Sequence, residues 1–151
     1  MTIASLLAKK GVKVVTIGPA DTIRESLRRL AEHNIGALVV VDAQGSIVGI
    51  VSERDVVRAL ARSEAILVEP IATIMTRDVV KGTPQDDLIA VGNTMTEHRF
   101  RHLPIVEGGR LVGIVSLGDV VKAQRDQYQG EVDTLQFQIL NEEDVKSPRA
   151  L

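Results

Sequence analysis

The sequence predicts an α+β fold built from two copies of a β-α-β-β-α unit, packed about a pseudo-two-fold axis and followed by a C-terminal helix. Three observations predict it. The stretch Gly49-Ile-Val-Ser-Glu-Arg-Asp55-Val-Val recurs as Gly113-Ile-Val-Ser-Leu-Gly-Asp119-Val-Val, with seven of nine positions identical. Upstream of each copy, β-rich runs and helical periodicity alternate in the same order. A three-stranded sheet of this size leaves faces and edges bare, and a second copy can cover them.

In the first unit, Val14-Val-Thr-Ile17 is a short β-rich run. Pro19-Ala-Asp21 then opens a helix, with Thr22 and Glu25 at capping-box spacing. Its apolar positions Ile23, Leu27, Leu30 and Ala31 form one stripe, and it stops near Asn34-Ile-Gly36. Leu38-Val-Val-Val-Asp42 is a strand, Ala43-Gln-Gly45 a tight turn, and Ser46 to Val51 the hairpin partner. Ser52 stands where a helix N-cap belongs, with Asp55 three residues on and Val56, Val57 and Leu60 following as an inner face.

The second unit repeats the order: Val79-Val80, a helix opened by Thr83-Pro84 through Leu88, Val91 and Met95, Leu103-Pro-Ile-Val106, a Glu107-Gly-Gly109 turn, and Arg110 to Val115. Ser116 and Asp119 begin the last helix. One residue fewer in the hairpin turn changes the offset between units from 65 to 64. A short helical piece leads each half, Ile3-Ala-Ser-Leu-Leu7 and Ile71-Ala-Thr-Ile-Met75. The expected division is therefore residues 2–61, a connector at 62–70, residues 71–125, and a C-terminal helix and tail at 126–151. In that last segment Tyr128, Val132, Leu135 and Ile139 are spaced 4, 3 and 4. The stripe fits either a helix laid back on its own domain or a seam shared between subunits. The tail from Asn141 is expected to fray.

Composition removes whole classes of function. There is no cysteine, which excludes disulfides, thiolate zinc sites and cysteine nucleophiles. The net charge is −2 with both signs interspersed, and the aromatics are only Phe100, Tyr128 and Phe137, so no nucleic-acid surface is expected. No apolar run approaches the roughly 18 residues of a membrane span, and the N-terminal lysines follow the apolar patch, the wrong order for a secretory signal. A cytoplasmic location is the expectation. Three histidines without close pairing make no metal site, and His33 and His98 read as cations at helix C-termini. The scattered carboxylates offer no catalytic dyad.

The twin Gly-Ile-Val-Ser-x-x-Asp motifs resemble the signature of cystathionine-β-synthase-type (CBS) domains. So does Arg101-His-Leu-Pro-Ile-Val106 ahead of the second motif, with Ile35-Gly-Ala-Leu-Val-Val40 at the equivalent place in the first. Such domains occur in tandem pairs called Bateman modules, and the resemblance covers residues 2–125. It implies regulatory binding of adenine nucleotides in clefts between the units, and it implies homodimers of two pairs. The chemistry of the motif is compatible. A carboxylate only accepts hydrogen bonds, and the two ribose hydroxyls are adjacent donors. Asp55 and Asp119 each suit one ribose, Ser52 and Ser116 can bond beside them, and free amides at a helix start suit phosphate. The same four residues also serve as helix caps, which ligand binding does not forbid.

By position in the family, the cleft of Ser116 and Asp119 has Arg101 and His102 at the phosphate, with Ile23, Ile35, Gly36 and Ala37 as the wall for the base. The cleft of Ser52 and Asp55 has the uncharged Gly36 and Ala37 at its phosphate end, with Leu88 and Phe100 at its base wall and Arg54 as a possible compensating charge. The resemblance thus implies a monophosphate at the Asp119 cleft, and at the other either nothing or a longer ligand. AMP is the leading candidate, with ATP, ADP, NAD or S-adenosylmethionine as alternatives. The expected function is a non-catalytic sensor acting on a separate protein target. A constitutive dimeric adaptor with a structural nucleotide is the alternative. A nucleotide-processing enzyme is the remote one, since the chain has neither a barrel domain nor a cysteine for the thioimidate of an IMP dehydrogenase.

Overall fold

A computed structural model of the chain describes residues 1–146, with side-chain surroundings described through Glu142. Five helices and five strands follow in the order α1 (Ile3–Lys10), β1 (Thr16–Ile17), α2 (Ile23–His33), β2 (Ala37–Val41), β3 (Ile47–Ser52), α3 (Glu53–Arg62), α4 (Leu88–His98), β4 (His102–Glu107), β5 (Arg110–Ser116) and α5 (Leu117–Lys146). Two short 3-10 turns, Glu64–Val68 and Ile71–Thr73, fill the link between the units.

In the first unit β1 runs parallel to β2, and β2 pairs antiparallel with β3. The Thr22 hydroxyl accepts the Glu25 amide at 3.2 Å and caps α2. Only this half of the expected capping box forms. The Glu25 carboxylate instead accepts from Arg28 and Arg29, at 2.6 to 2.9 Å, which holds its pKa down at about 2. Ile23 and Leu30 face the core, as the stripe requires.

The second unit departs from its expected form at one point. Val79-Val80 makes no strand. Pairing with β4 comes instead as a single parallel bridge from Gly82 to Ile105. Gly82 stands 65 residues after Ile17, and its backbone lies so close to the strand that an added Cβ would sit 2.8 Å from Leu103 Cδ2. The missing side chain lets the backbone close in, and no second strand residue follows. Asp87, not Thr83, caps α4 by accepting the Ala90 amide at 3.0 Å. The hairpins remain alike down to a register irregularity at Val40/Val41 in one and Ile105/Val106 in the other.

The leading segments cross between the units. Ile3, Leu6 and Leu7 of α1 belong to the core of the second unit, with Leu88, Val91, Met95, Leu103, Ile105, Val115 and Val120. Ile71 and Met75 belong to the core of the first, with Ile17, Ile23, Leu38, Val40, Val51 and Val56. Backbone bonds repeat the exchange symmetrically: the Ala4 amide donates to Pro84 O at 2.8 Å and the Ala72 amide to Pro19 O at 3.0 Å. Each half is thus completed by the segment that precedes the other.

The last helix also differs from expectation. It runs unbroken for 30 residues from Leu117 to Lys146, about 45 Å at 1.5 Å per residue. Asn141 to Lys146 is helical instead of frayed, and residues 147–151 lie outside the described part. Tyr128, Val132, Leu135 and Ile139 are all exposed, so the stripe is not laid back on its own domain.

Candidate functional site

Strand β3 runs directly into α3, and β5 into α5, so each duplicated serine becomes the N-cap of a helix. The Ser52 hydroxyl accepts the Asp55 amide at 3.3 Å, and Asp55 Oδ2 accepts the Ser52 amide at 2.9 Å. At the second opening the same two bonds measure 3.1 and 2.8 Å. This reciprocal box satisfies amides that have no partner within the helix. It consumes one oxygen of each carboxylate. Among the described residues, no hydrogen bond reaches Oδ1 of either Asp55 or Asp119.

The surroundings of the two openings differ. Asp119 Oδ2 also accepts from the Lys10 ammonium at 2.5 Å, and that ammonium donates to Ile114 O at 2.8 Å. At the first opening, the place of Ile114 O is taken by Ile50 O, which accepts the backbone amide of Thr76 at 2.9 Å. No cation pairs with Asp55 among the described residues. Burial raises the Asp119 pKa, but the bonds from Lys10 and Ser116 outweigh it and leave the group below the ordinary aspartate value. It is ionised at neutral pH.

A cavity of about 600 Å³ opens beside Ser116, lined by Gly36, Glu53, Arg101, His102, Leu117, Gly118, Val121, Lys122 and Arg125. Three full cations against one carboxylate give it a positive character that suits an anion. Gly36 lets the units meet here, because an added Cβ would stand 3.3 Å from His102 Nε2 and 3.6 Å from Glu53 Oε1. The strand starts are held in matching fashion: the Glu53 amide donates to Gly36 O at 3.0 Å and the Leu117 amide to Arg101 O at 2.8 Å. Burial pushes the His102 pKa below the ordinary histidine value, while Glu53 and Asp119 pull it up and Arg101 and Lys10 push it further down. The imidazole is therefore neutral at pH 7.

Of the residues expected at the Asp119 cleft, the structure brings Ser116, Arg101, His102 and Gly36 to one cavity. Ile35 is half-buried and Ala37 buried nearby in sequence, whereas Ile23 is sealed in the first core with no exposed surface. Ile23 therefore offers no face to a base in this conformation. Leu88 is likewise sealed in the second core. Asp119 itself is not among the lining residues, and Ser52 and Asp55 line neither this cavity nor a smaller one of about 220 Å³ among Val80, Gly82, Asp86, Ala90, Thr94 and Phe100. Arg54 is exposed and makes no ion pair among the described residues. Ala90 and Thr94, which line the smaller cavity, stand where the first unit has Glu25 and Arg29, a bonded pair whose arginine also donates to Thr16 O at 2.6 Å.

Sequence reasoning missed Lys10, Glu53, Lys122 and Arg125. Glu53 carried a signal, because it and Arg54 are the two positions that differ between the duplicated motifs. Lys10 carried none, since 109 residues separate it from Asp119.

Two crossed units of the β-α-β-β-α kind, with a capped serine and aspartate at each helix opening, define a paired, pseudo-symmetric module. The model of the CBS domain matches residues 7–62 and again 71–126, and the chain belongs to that family. A CBS domain-containing protein of Bacillus subtilis, YhcV, is 35% identical over 112 residues, covering 74% of this chain and 79% of that protein. A solved CBS-domain containing protein from Agrobacterium tumefaciens superposes with a TM-score of 0.79 at 44% identity, over 82% of this chain and 92% of that one. The CBS domain pair of protein MJ0100, solved in complex with 5-methylthioadenosine and S-adenosyl-L-methionine, superposes with a TM-score of 0.75 at 27% identity, over 84% and 98%. No helix among the described residues is long and apolar enough to cross a membrane.

Proposed function

We propose that the chain is a non-catalytic regulatory module that binds an adenine nucleotide between its units and acts on a separate protein target by a ligand-dependent change in conformation or dimer arrangement. The observation that carries the reading is the positive cavity at the opening of α5. It gathers Ser116, Arg101, His102 and Gly36, and Asp119 stands in the capping box with Oδ1 free of hydrogen bonds among the described residues. Its volume falls in the range of small-molecule sites. A sugar diol on the aspartate and a phosphate toward Arg101 and His102 would satisfy donors and acceptors together. AMP is the first candidate, with ADP, ATP, NAD and S-adenosylmethionine as alternatives. The adenosine compounds named in the MJ0100 complex support the class of ligand.

The exposed stripe of α5 supports a homodimer. Tyr128, Val132, Leu135 and Ile139 follow coiled-coil spacing and are exposed among the described residues. Calorimetric titration with the five ligands, alongside Asp119→Ala and Asp55→Ala, tests the reading. At least one ligand binds the wild type and loses affinity in a variant if it holds; five flat titrations end it. Sedimentation of Leu135→Glu tests the dimer, which falls to a monomer if the stripe is its seam.

A further inference from the structure

We propose that Lys10 makes the Asp119 cleft select phosphorylated nucleotides over neutral nucleosides, by exchanging its partner from Asp119 to the phosphate of the ligand. The inference rests on the nucleotide reading above and assigns the residue that sets charge preference in one of the two clefts. Asp119 Oδ2 already accepts from the Ser116 amide and from the Lys10 ammonium, and a carboxylate has about four lone-pair sites over its two oxygens. Both of those donors sit on Oδ2, so a diol that takes one hydroxyl to Oδ1 and the other to Oδ2 competes with Lys10 for the second oxygen. Asp55 poses no such demand. Its second donor on Oδ2 is the Ser52 hydroxyl, at 3.1 Å, which can rotate away without separating any charges.

The Lys10 side chain is 29% exposed in its pair with Asp119, and an ammonium that leaves the carboxylate gives up a charge-assisted bond that only an anion replaces in kind. Adenosine brings no anion; AMP does. Lys10 meets the Ser116–Asp119 box directly, through Asp119 Oδ2 and Ile114 O, and Ser116 lines the cavity that holds Arg101 and His102. The lysine is also anchored from outside the second unit's own sequence. Ile3, Leu6 and Leu7 seat α1 on that unit's core, which fixes where its last residue can reach. The first cleft has a backbone amide, that of Thr76, at the corresponding carbonyl, so no charge is transferred there.

The test compares AMP with adenosine by calorimetry on the full chain carrying Asp55→Ala, which isolates the second cleft, with and without Lys10→Gln. A thermal melt and a second variant, Lys10→Met, guard against misfolding, and Lys10→Arg keeps the charge. With Lys10 present, AMP is favoured over adenosine by a ratio at least tenfold larger than in Lys10→Gln. Adenosine tightens three- to tenfold in Lys10→Gln, and Lys10→Arg keeps most of the ratio. An unchanged ratio, or adenosine weakened by Lys10→Gln and Lys10→Met alike, overturns the exchange and leaves the nucleotide reading standing. If neither compound binds any variant, the nucleotide reading fails and takes the exchange with it.

Discussion

The openings at Ser52 and Ser116 are near copies in backbone and unlike in company. Their capping bonds differ by no more than 0.2 Å, 2.9 against 2.8 Å and 3.3 against 3.1 Å. Yet one aspartate bonds only within its own turn, while the other is paired with a lysine from the start of the chain. One strand start carries Gly36 and Ala37, the other Arg101 and His102. Duplication has kept the hydrogen-bond frame, because a helix start and a strand end demand the same caps wherever they occur. It has released the side chains that reach across the molecule. The frame is generic, and the openings differ in the side chains around it, Lys10 on Asp119 against none on Asp55 among the described residues.

The largest test of that comparison strikes the crossing itself. Ile3→Ala should cost about 2–5 kcal/mol, the usual range for truncating a buried isoleucine. Hydrogen exchange should show the loosening in α4 and β4 of the second unit, with α2 and β2 protected as before. Ile71→Ala should do the reverse. If Ile3→Ala loosens β2 and α2 instead, the exchange of leading segments is wrong.

Removing one carboxylate at a time sharpens the comparison. Asp119→Ala should weaken a bound monophosphate by about 1.5–3 kcal/mol, the worth of hydrogen bonds to a charged group, which is roughly 10- to 150-fold. Asp55→Ala should leave that same event within threefold of the wild type. Equal losses from both variants would mean that the clefts are not separate.

A smaller effect follows from His102. Its pKa is lowered in the free protein, by burial first, and a phosphate placed beside the ring favours the charged form. The complex therefore takes up a proton, and affinity rises as pH falls from the raised pKa of the complex toward the lowered pKa of the free protein. The ligand phosphate titrates near 6 as well, so the slope for AMP must be compared with that of His102→Gln. Parallel slopes would remove His102 from the phosphate end.

The smallest effect lies at the paired cavities. Arg29→Thr should create in the first unit the hollow that Thr94 leaves in the second, at a cost of about 0.5–1.5 kcal/mol for the bond to Thr16 O. Thermal denaturation measures it, and an unchanged midpoint would show that the arginine is idle.

Much of this was legible residue by residue. The repeat, the hairpin turns, the serine caps and the family all followed from local spacing. Two expectations failed. Val79-Val80 reads as a strand, but the close approach at Gly82 moved the pairing two residues on. The tail from Asn141 reads as frayed, but it continues a helix begun at Leu117.

Sequence alone determined the elements, because capping, turns and periodicity act over a few residues and are written in consecutive letters. The fold decided which half completes which and which cation meets which carboxylate. Lys10 and Asp119 stand 109 residues apart, and their meeting depends on α1 crossing to the far unit to bury Ile3, Leu6 and Leu7. Burial of apolar surface has no direction of its own, so only the assembled shape of both cores could select that partner.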